Sequence, residues 1–181
     1  MRRRLGGFVL LALTTVVLSG CATMTVGSYV GRTVDLTTYR TYDWGPPDAL
    51  PIGDARLDNN TFFQDHLQGA VEKALAARGY VRVWSEAPDI LIHYHATIAR
   101  RIDVDSLNPG YDCRGSGCEP RVFAYDAGTL VIDIVDGKTK RLLWRGWAQD
   151  SMDGVLEDQD EMEAQIAEAV SRIFERLPRS L

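Results

Sequence analysis

The sequence predicts an α+β domain, an antiparallel sheet of about five strands with two helices packed on one face in a two-layer sandwich. Two segments, around Phe63 to Leu75 and Met162 to Leu177, repeat apolar residues at helical spacing. Between them Tyr80 to Trp84, Asp89 to Ile98, Gly128 to Val135 and Arg141 to Gln149 read as strands, separated by turn-forming residues. An order of strand, helix, four strands, helix leaves the second face of the sheet without a helix.

Each element has its own signal. Val34 to Trp44, with Tyr39, Tyr42 and Trp44, suggests a first strand that ends before Gly45-Pro46-Pro47, and Asp48 to Asn60 reads as loop. In the first helix Phe63, Leu67, Ala70, Val71, Ala74 and Leu75 share one face. Asp58, Asn59, Asn60 or Thr61 can cap its start and Gly79 its end. Ser85 to Pro88 supplies a turn that would join the next two strands as an antiparallel hairpin. Along the second of these, Ile90, Ile92, Tyr94, Ala96 and Ile98 share one face, and Leu91, His93, His95 and Thr97 the other. Arg100 to Asp126, with Pro109 and Pro120, reads mainly as an excursion with strand at its margins. Asp136 to Thr139 turns the chain between the last two strands. The second helix gathers Met162, Ile166, Ala169, Val170, Ile173 and Leu177 on one face. Acids crowd its start, Arg172 and Arg176 lie near its end, and Pro178 stops it.

Residues 1–20 have the layout of a cleaved secretory signal: Arg2 to Arg4, an apolar run from Leu5 to Leu18, then Ser19 and Gly20. The run falls short of the roughly 20 apolar residues that a spanning helix requires, so a retained membrane helix is the weaker reading. Leu18-Ser19-Gly20-Cys21 resembles the bacterial lipobox, which implies a diacylglyceryl thioether on Cys21 and an acylated amine, with palmitate the expected chain. Each buried methylene contributes about 0.8 kcal/mol, and two or more chains hold a protein stably where one does not. Ala22 stands where an inner-membrane retention signal would place Asp, so the resemblance implies anchoring at the outer membrane, facing the periplasm. Residues 21–32 then form a lipidated tether and residues 33–181 a single periplasmic domain.

Removing residues 1–20 takes three arginines and no acid from 20 basic and 25 acidic residues, leaving 17 against 25 and a formal charge of minus 8. Such a balance argues against nucleic acid as a partner. Cys113 and Cys118 flank Arg114-Gly115-Ser116-Gly117, a tetrapeptide able to turn back on itself, so a local disulfide suits an oxidising compartment. Closing so small a loop yields only about 2 kcal/mol. A zinc or redox pair is the rival, but structural zinc needs a second pair and redox motifs a spacing of two.

Trp144 and Trp147, three apart on one strand, point to opposite faces unless a bulge intervenes. One tryptophan should therefore lie on the open face, with Tyr94 a neighbour that could join it as a partner or lipid surface. The rival reading is that the tether or the excursion covers that face.

Taken together, Tyr39 to Trp44, Ala87 to His95, Gly128 to Asp136 and Leu143 to Ala148 resemble the domain of unknown function numbered forty-one thirty-six, a family of envelope lipoproteins. The likeness runs from about Tyr29 to Leu177. It implies location and fold and supplies no catalytic residues, and the Cys113 to Cys118 insertion departs from it.

An enzyme is the weaker reading. His93 and His95 share a strand face at a spacing that some zinc sites use, but a third ligand is missing from the sequence; His66, Asp103 and Asp133 qualify only if folding brings them near. Gly115-Ser116-Gly117 lacks the strand-to-helix elbow that aims a nucleophile. No cofactor is expected. The preferred role is a non-catalytic, lipid-anchored accessory lipoprotein that binds an unidentified envelope protein, and the alternative is a binder of lipid or another small apolar ligand.

Overall fold

The computed structural model describes residues 24–32, 34–46, 53–84, 87–104 and 122–178. The signal segment, Cys21 and the Cys113 to Cys118 pair lie outside the described residues.

Six strands form one sheet in the order β1-β6-β5-β4-β2-β3: β1 (Thr25–Val30), β2 (Thr41–Trp44), β3 (Val81–Arg82), β4 (Ile90–Val104), β5 (Val122–Asp136) and β6 (Leu142–Ser151). Three helices accompany it, a single turn α1 (Ala55–Asp58) and the longer α2 (Thr61–Ala76) and α3 (Gln159–Glu175). The α+β class is as the sequence predicts; α1 adds a third helix inside the stretch expected as loop, and four further details are corrected.

First, the sheet is mixed, because β2 runs parallel to both β3 and β4. The expected hairpin of β3 with β4 does not form; β2 lies between them. Asp89 decides this. Its Oδ2 accepts from the N–H groups of Arg40 and Thr41, each at 2.9 Å, while its own N–H donates to the Thr41 hydroxyl at 3.0 Å. These three bonds dock the start of β4 onto the start of β2, the place that β3 would take in a hairpin.

Second, the tether contributes β1, which extends the sheet beyond β6 in antiparallel register from Thr25↔Gln149 to Val30↔Trp144. Third, the segment from Val34 is strand only over Thr41–Trp44. Before it, Asp35 accepts from Thr37 N–H at 2.9 Å and caps a 3-10 turn at Leu36–Thr38. Fourth, β4 and β5 continue well into the expected excursion, paired as far as Val104↔Val122, whereas β6 stops at Ser151 opposite Ala127. Five residue pairs thus project as a two-stranded arm about 17 Å long at roughly 3.3 Å per residue.

The long helices begin and end by local chemistry. Asn60 Oδ1 caps α2 through Phe63 N–H at 3.1 Å, and Gly79, at a φ of 82°, turns the chain out of it. Asp158 accepts from the N–H groups of Asp160 and Glu161 to cap α3, with Arg172 in its last turn. Leu67, Val71 and Leu75 of α2 and Ile166, Val170 and Ile173 of α3 pack on Ile90, Ile92, Ile132 and Ile134 in one core. Most of these are wholly buried, and each such side chain contributes about 1.5–3 kcal/mol.

Trp144 is wholly buried on this side, 5.9 Å ring to ring from Phe174. Its indole N–H meets no acceptor among the described residues, so the ring serves by filling space. Trp144→Ala should accordingly lower stability by about 3–5 kcal/mol, read as the urea midpoint, while Trp147→Ala should cost well under half as much.

Candidate functional site

Alternation along β4, β5 and β6 sends every second side chain to the face that no described helix covers. Two cross-strand rows define it. In the first, His93 of β4 faces Asp133 of β5, which faces Arg145 of β6, which faces Tyr29 of β1. In the second, His95 faces Val131, which faces Trp147, which faces Gly27.

The first row is built around a buried charge. Asp133 is only 3% exposed, and Arg145 grips it through Nε at 2.7 Å and an Nη at 2.6 Å, a two-pronged carboxylate bond. The guanidinium itself is nearly half exposed, so solvent screens the pair and its net worth is modest, although Asp133 without it would be stranded. On the other flank His93 is 8% exposed and lies across Gly45, where an added Cβ would come 1.9 Å from the imidazole Cε1. Burial pushes the His93 pKa below its ordinary value of 6.5, opposed by the nearby Asp133 carboxylate and aided by Lys140.

The second row is aromatic. The Trp147 indole lies flat over Gly27, whose added Cβ would fall 2.5 Å from the ring, so the edge strand leaves space for a ring that is half-buried. Tyr29, beside it on β1, is 56% exposed. The face therefore presents Trp147 and Tyr29 next to a rigid ion pair.

The expected site residues divide between the two sides. Trp147 is on the open face, opposite in direction to Trp144, as the three-residue spacing requires. Trp144 lies in the core, and Tyr94 also points to the helix side, edge-on to Trp44 at 6.1 Å and to Phe63 at 6.4 Å, so neither contributes to the surface. His93 and His95 share the open face, but Asp133 is held by Arg145, and His66 sits in the helix layer with Nε2 3.7 Å from Glu163. No group of three or more His, Cys, Asp or Glu able to hold a metal occurs among the described residues. Arg145, Tyr29, Gly27 and Gly45 escape a reading of the sequence. The parity that places Trp147 on this face also places Arg145 there.

A second concavity lies on the helix side, where the arm leaves the sheet. Met24, Met152 and Met162, which are all the methionines after Met1, line an apolar pocket of about 60 Å³ together with Leu57, Ala96 and Ile166. Flexible thioethers suit a pocket of adaptable shape.

Two outcomes test the first row. Arg145→Ala should lower stability by about 1–3 kcal/mol, and adding Asp133→Asn should restore part of the loss, since the cost is a stranded charge; denaturant unfolding of the double-mutant cycle reads it. For His93 the unfolded chain binds the proton more readily than the folded one, so the stabilisation is fully present above pH 6.5 and is lost as pH falls below it. The urea midpoint should drop between about pH 7.5 and 5.5, and His93→Gln should flatten that slope.

A search of curated proteins finds no match to this chain. Among solved structures the chain is similar to a PDZ domain protein from Parabacteroides distasonis, with 18% identity and a TM-score of 0.50 over 87% of this chain. It spans only 37% of the length of that protein. It is also similar to the PelC dodecamer from Paraburkholderia phytofirmans, with 8% identity and a TM-score of 0.47 over 88% of this chain and 100% of that one. A variant PelC dodecamer in another crystal form gives 11% identity and a TM-score of 0.42 over 85% and 99% of the two chains. These likenesses concern the fold alone. The sequence profile of one family, described as a domain of unknown function, matches residues 26–179 and so runs from the second residue of β1 through β6 and both long helices: the chain belongs to the DUF4136 family.

Proposed function

We propose that the protein is a non-catalytic accessory lipoprotein of the bacterial envelope, anchored to the outer membrane through lipid on Cys21 and binding an envelope partner on its periplasmic side. The observation that carries the binding role is the open face. Aromatic surface at Trp147 and Tyr29 stands beside a braced Asp133–Arg145 pair, and aromatic residues with arginine are the side chains that most often anchor protein interfaces. The Gly27 and Gly45 sites hold Trp147 and His93 in place, so little ordering is required when a partner docks. The anchor rests on the signal-like layout of residues 1–20 and the lipobox letters before Cys21.

A small apolar ligand is the second reading, favoured by the methionine-lined pocket. Size decides the order. Pockets that enclose a drug-sized ligand run to about 300–1,000 Å³, whereas about 60 Å³ admits only the end of a chain.

In-cell photocrosslinking from a probe at Trp147 should capture a defined envelope protein, while a probe at Tyr94, on the helix side, should not; equal capture from both would remove the open face from the proposal. Stoichiometric lipid extracted from the purified protein would favour the second reading. Cys21→Ser should move the protein from the membrane fraction to the soluble fraction with its circular dichroism unchanged, and continued membrane attachment would overturn the lipobox reading.

A further inference from the structure

The two edges of the sheet differ in how they are guarded. Gly31 N–H donates to Leu143 O at 3.0 Å. Antiparallel alternation then turns the backbone groups of Thr25, Gly27 and Tyr29 toward β6 and those of Val26, Ser28 and Val30 outward, where they meet no strand among the described residues. Exposed edges are ordinarily blunted by lysine, proline, a bulge or shortness. The opposite edge follows that rule, since β3 has two residues. By contrast β1 is six residues of Thr-Val-Gly-Ser-Tyr-Val, without a charge or a proline, and Tyr29 and Val30 are its exposed apolar side chains.

We infer that this edge pairs with the same edge of a second copy, antiparallel about a two-fold axis through Ser28. The sequence around Ser28 is self-complementary in that arrangement. Val26 meets Val30 of the other copy twice, Ser28 meets Ser28, and Gly27 meets Tyr29 twice. On the helix side this gives two β-branched cross-strand pairs with exposed serines between them. On the open face each Tyr29 stands opposite a Gly27 that Trp147 covers, so its ring packs against the outer edge of that indole and rings from both copies meet across the axis. No like charges oppose one another from Thr25 to Gly31. The result is a continuous twelve-stranded sheet whose open face runs unbroken across both copies. Pairing depends only on β1, so it stands whether or not Cys21 carries lipid.

The test is the sedimenting mass of the full-length protein in mild detergent, with the detergent contribution matched out. The wild type should sediment as a dimer. Ser28→Lys places like charges directly opposite each other on an exposed position whose side chain leaves the open face untouched; it should halve the mass with circular dichroism and thermal unfolding unchanged. Register is read by disulfide trapping in a Cys21→Ser, Cys113→Ser, Cys118→Ser background, which leaves no native thiol. Ser28→Cys should crosslink to itself, because hydrogen-bonded antiparallel partners lie about 5.5 Å apart at Cα. Val26→Cys and Val30→Cys should crosslink when mixed and remain uncrosslinked alone. A monomeric wild type, a Ser28→Lys protein that stays dimeric, or Val30→Cys crosslinking to itself as readily as Ser28→Cys would each overturn the pairing; a monomeric wild type whose β1 probe captures another protein would assign the edge to a foreign strand.

Discussion

Everything in this domain depends on the register of β5 between its two antiparallel neighbours. Ile132 and Ile134 are wholly buried under the helices, and Asp133, between them, is buried on the other side against Arg145. A slip of one residue would push the carboxylate into the apolar layer and turn both isoleucines to water. Loss of two buried isoleucines costs several kcal/mol, and an unpaired buried carboxylate costs more. The bulge between Ile134 and Val135, where Leu143 is the extra residue, and the Asp136 turn beyond it end the regular ladder at one side and help to hold that register.

The Asp133–Arg145 pair is thus best understood as a register pin that also shapes a surface. A half-exposed ion pair adds little net stability, but it makes the wrong pairing expensive, which is where its influence lies. Its neighbours are braced by glycines at the strand margins. Trp147 lies on Gly27 and His93 on Gly45, so two ring systems are set flat against the sheet by the absence of a side chain. Tyr29 stays exposed, and Trp147 is stiffened by the strand it covers. Stiffness of this kind lowers the ordering cost that a binding surface otherwise meets.

The strand edges show a division of labour. At one margin β2 and β3 are short, and Arg82 of β3 closes the region through Asp43 and Glu72. At the other, β1 is longer and uncharged. Between these margins the β4–β5 arm outruns the rest of the sheet and carries Ile102 with 66% exposure. The methionine pocket sits at the root of that arm, so apolar surface and apolar concavity are adjacent on the helix side. The Asp133–Arg145 pair, Trp147 and Tyr29 lie on the opposite side.

Sequence alone determined the two long helices, the strand character of β4, β5 and β6, and the opposite directions of Trp144 and Trp147. Each of these follows from periodicity within a single segment, and side-chain direction is fixed by the backbone period wherever the chain is regular. Residues that matter through distant partners were not legible. Asp89 reads as the first residue of a hairpin strand, yet its bonds to Arg40 and Thr41 reach back 49 and 48 residues and dock β4 beside β2 in a mixed sheet. Residues 21–32 read as a tether, yet Thr25–Val30 joins β6 as β1, with Gly27 leaving room for the Trp147 ring. Asp133 reads only as a conditional metal ligand and Arg145 has no assigned role until register brings the two together. Only the tertiary structure decided these, because a hydrogen-bond partner or the room for a ring is a property of two segments meeting, and one segment's letters carry half of it.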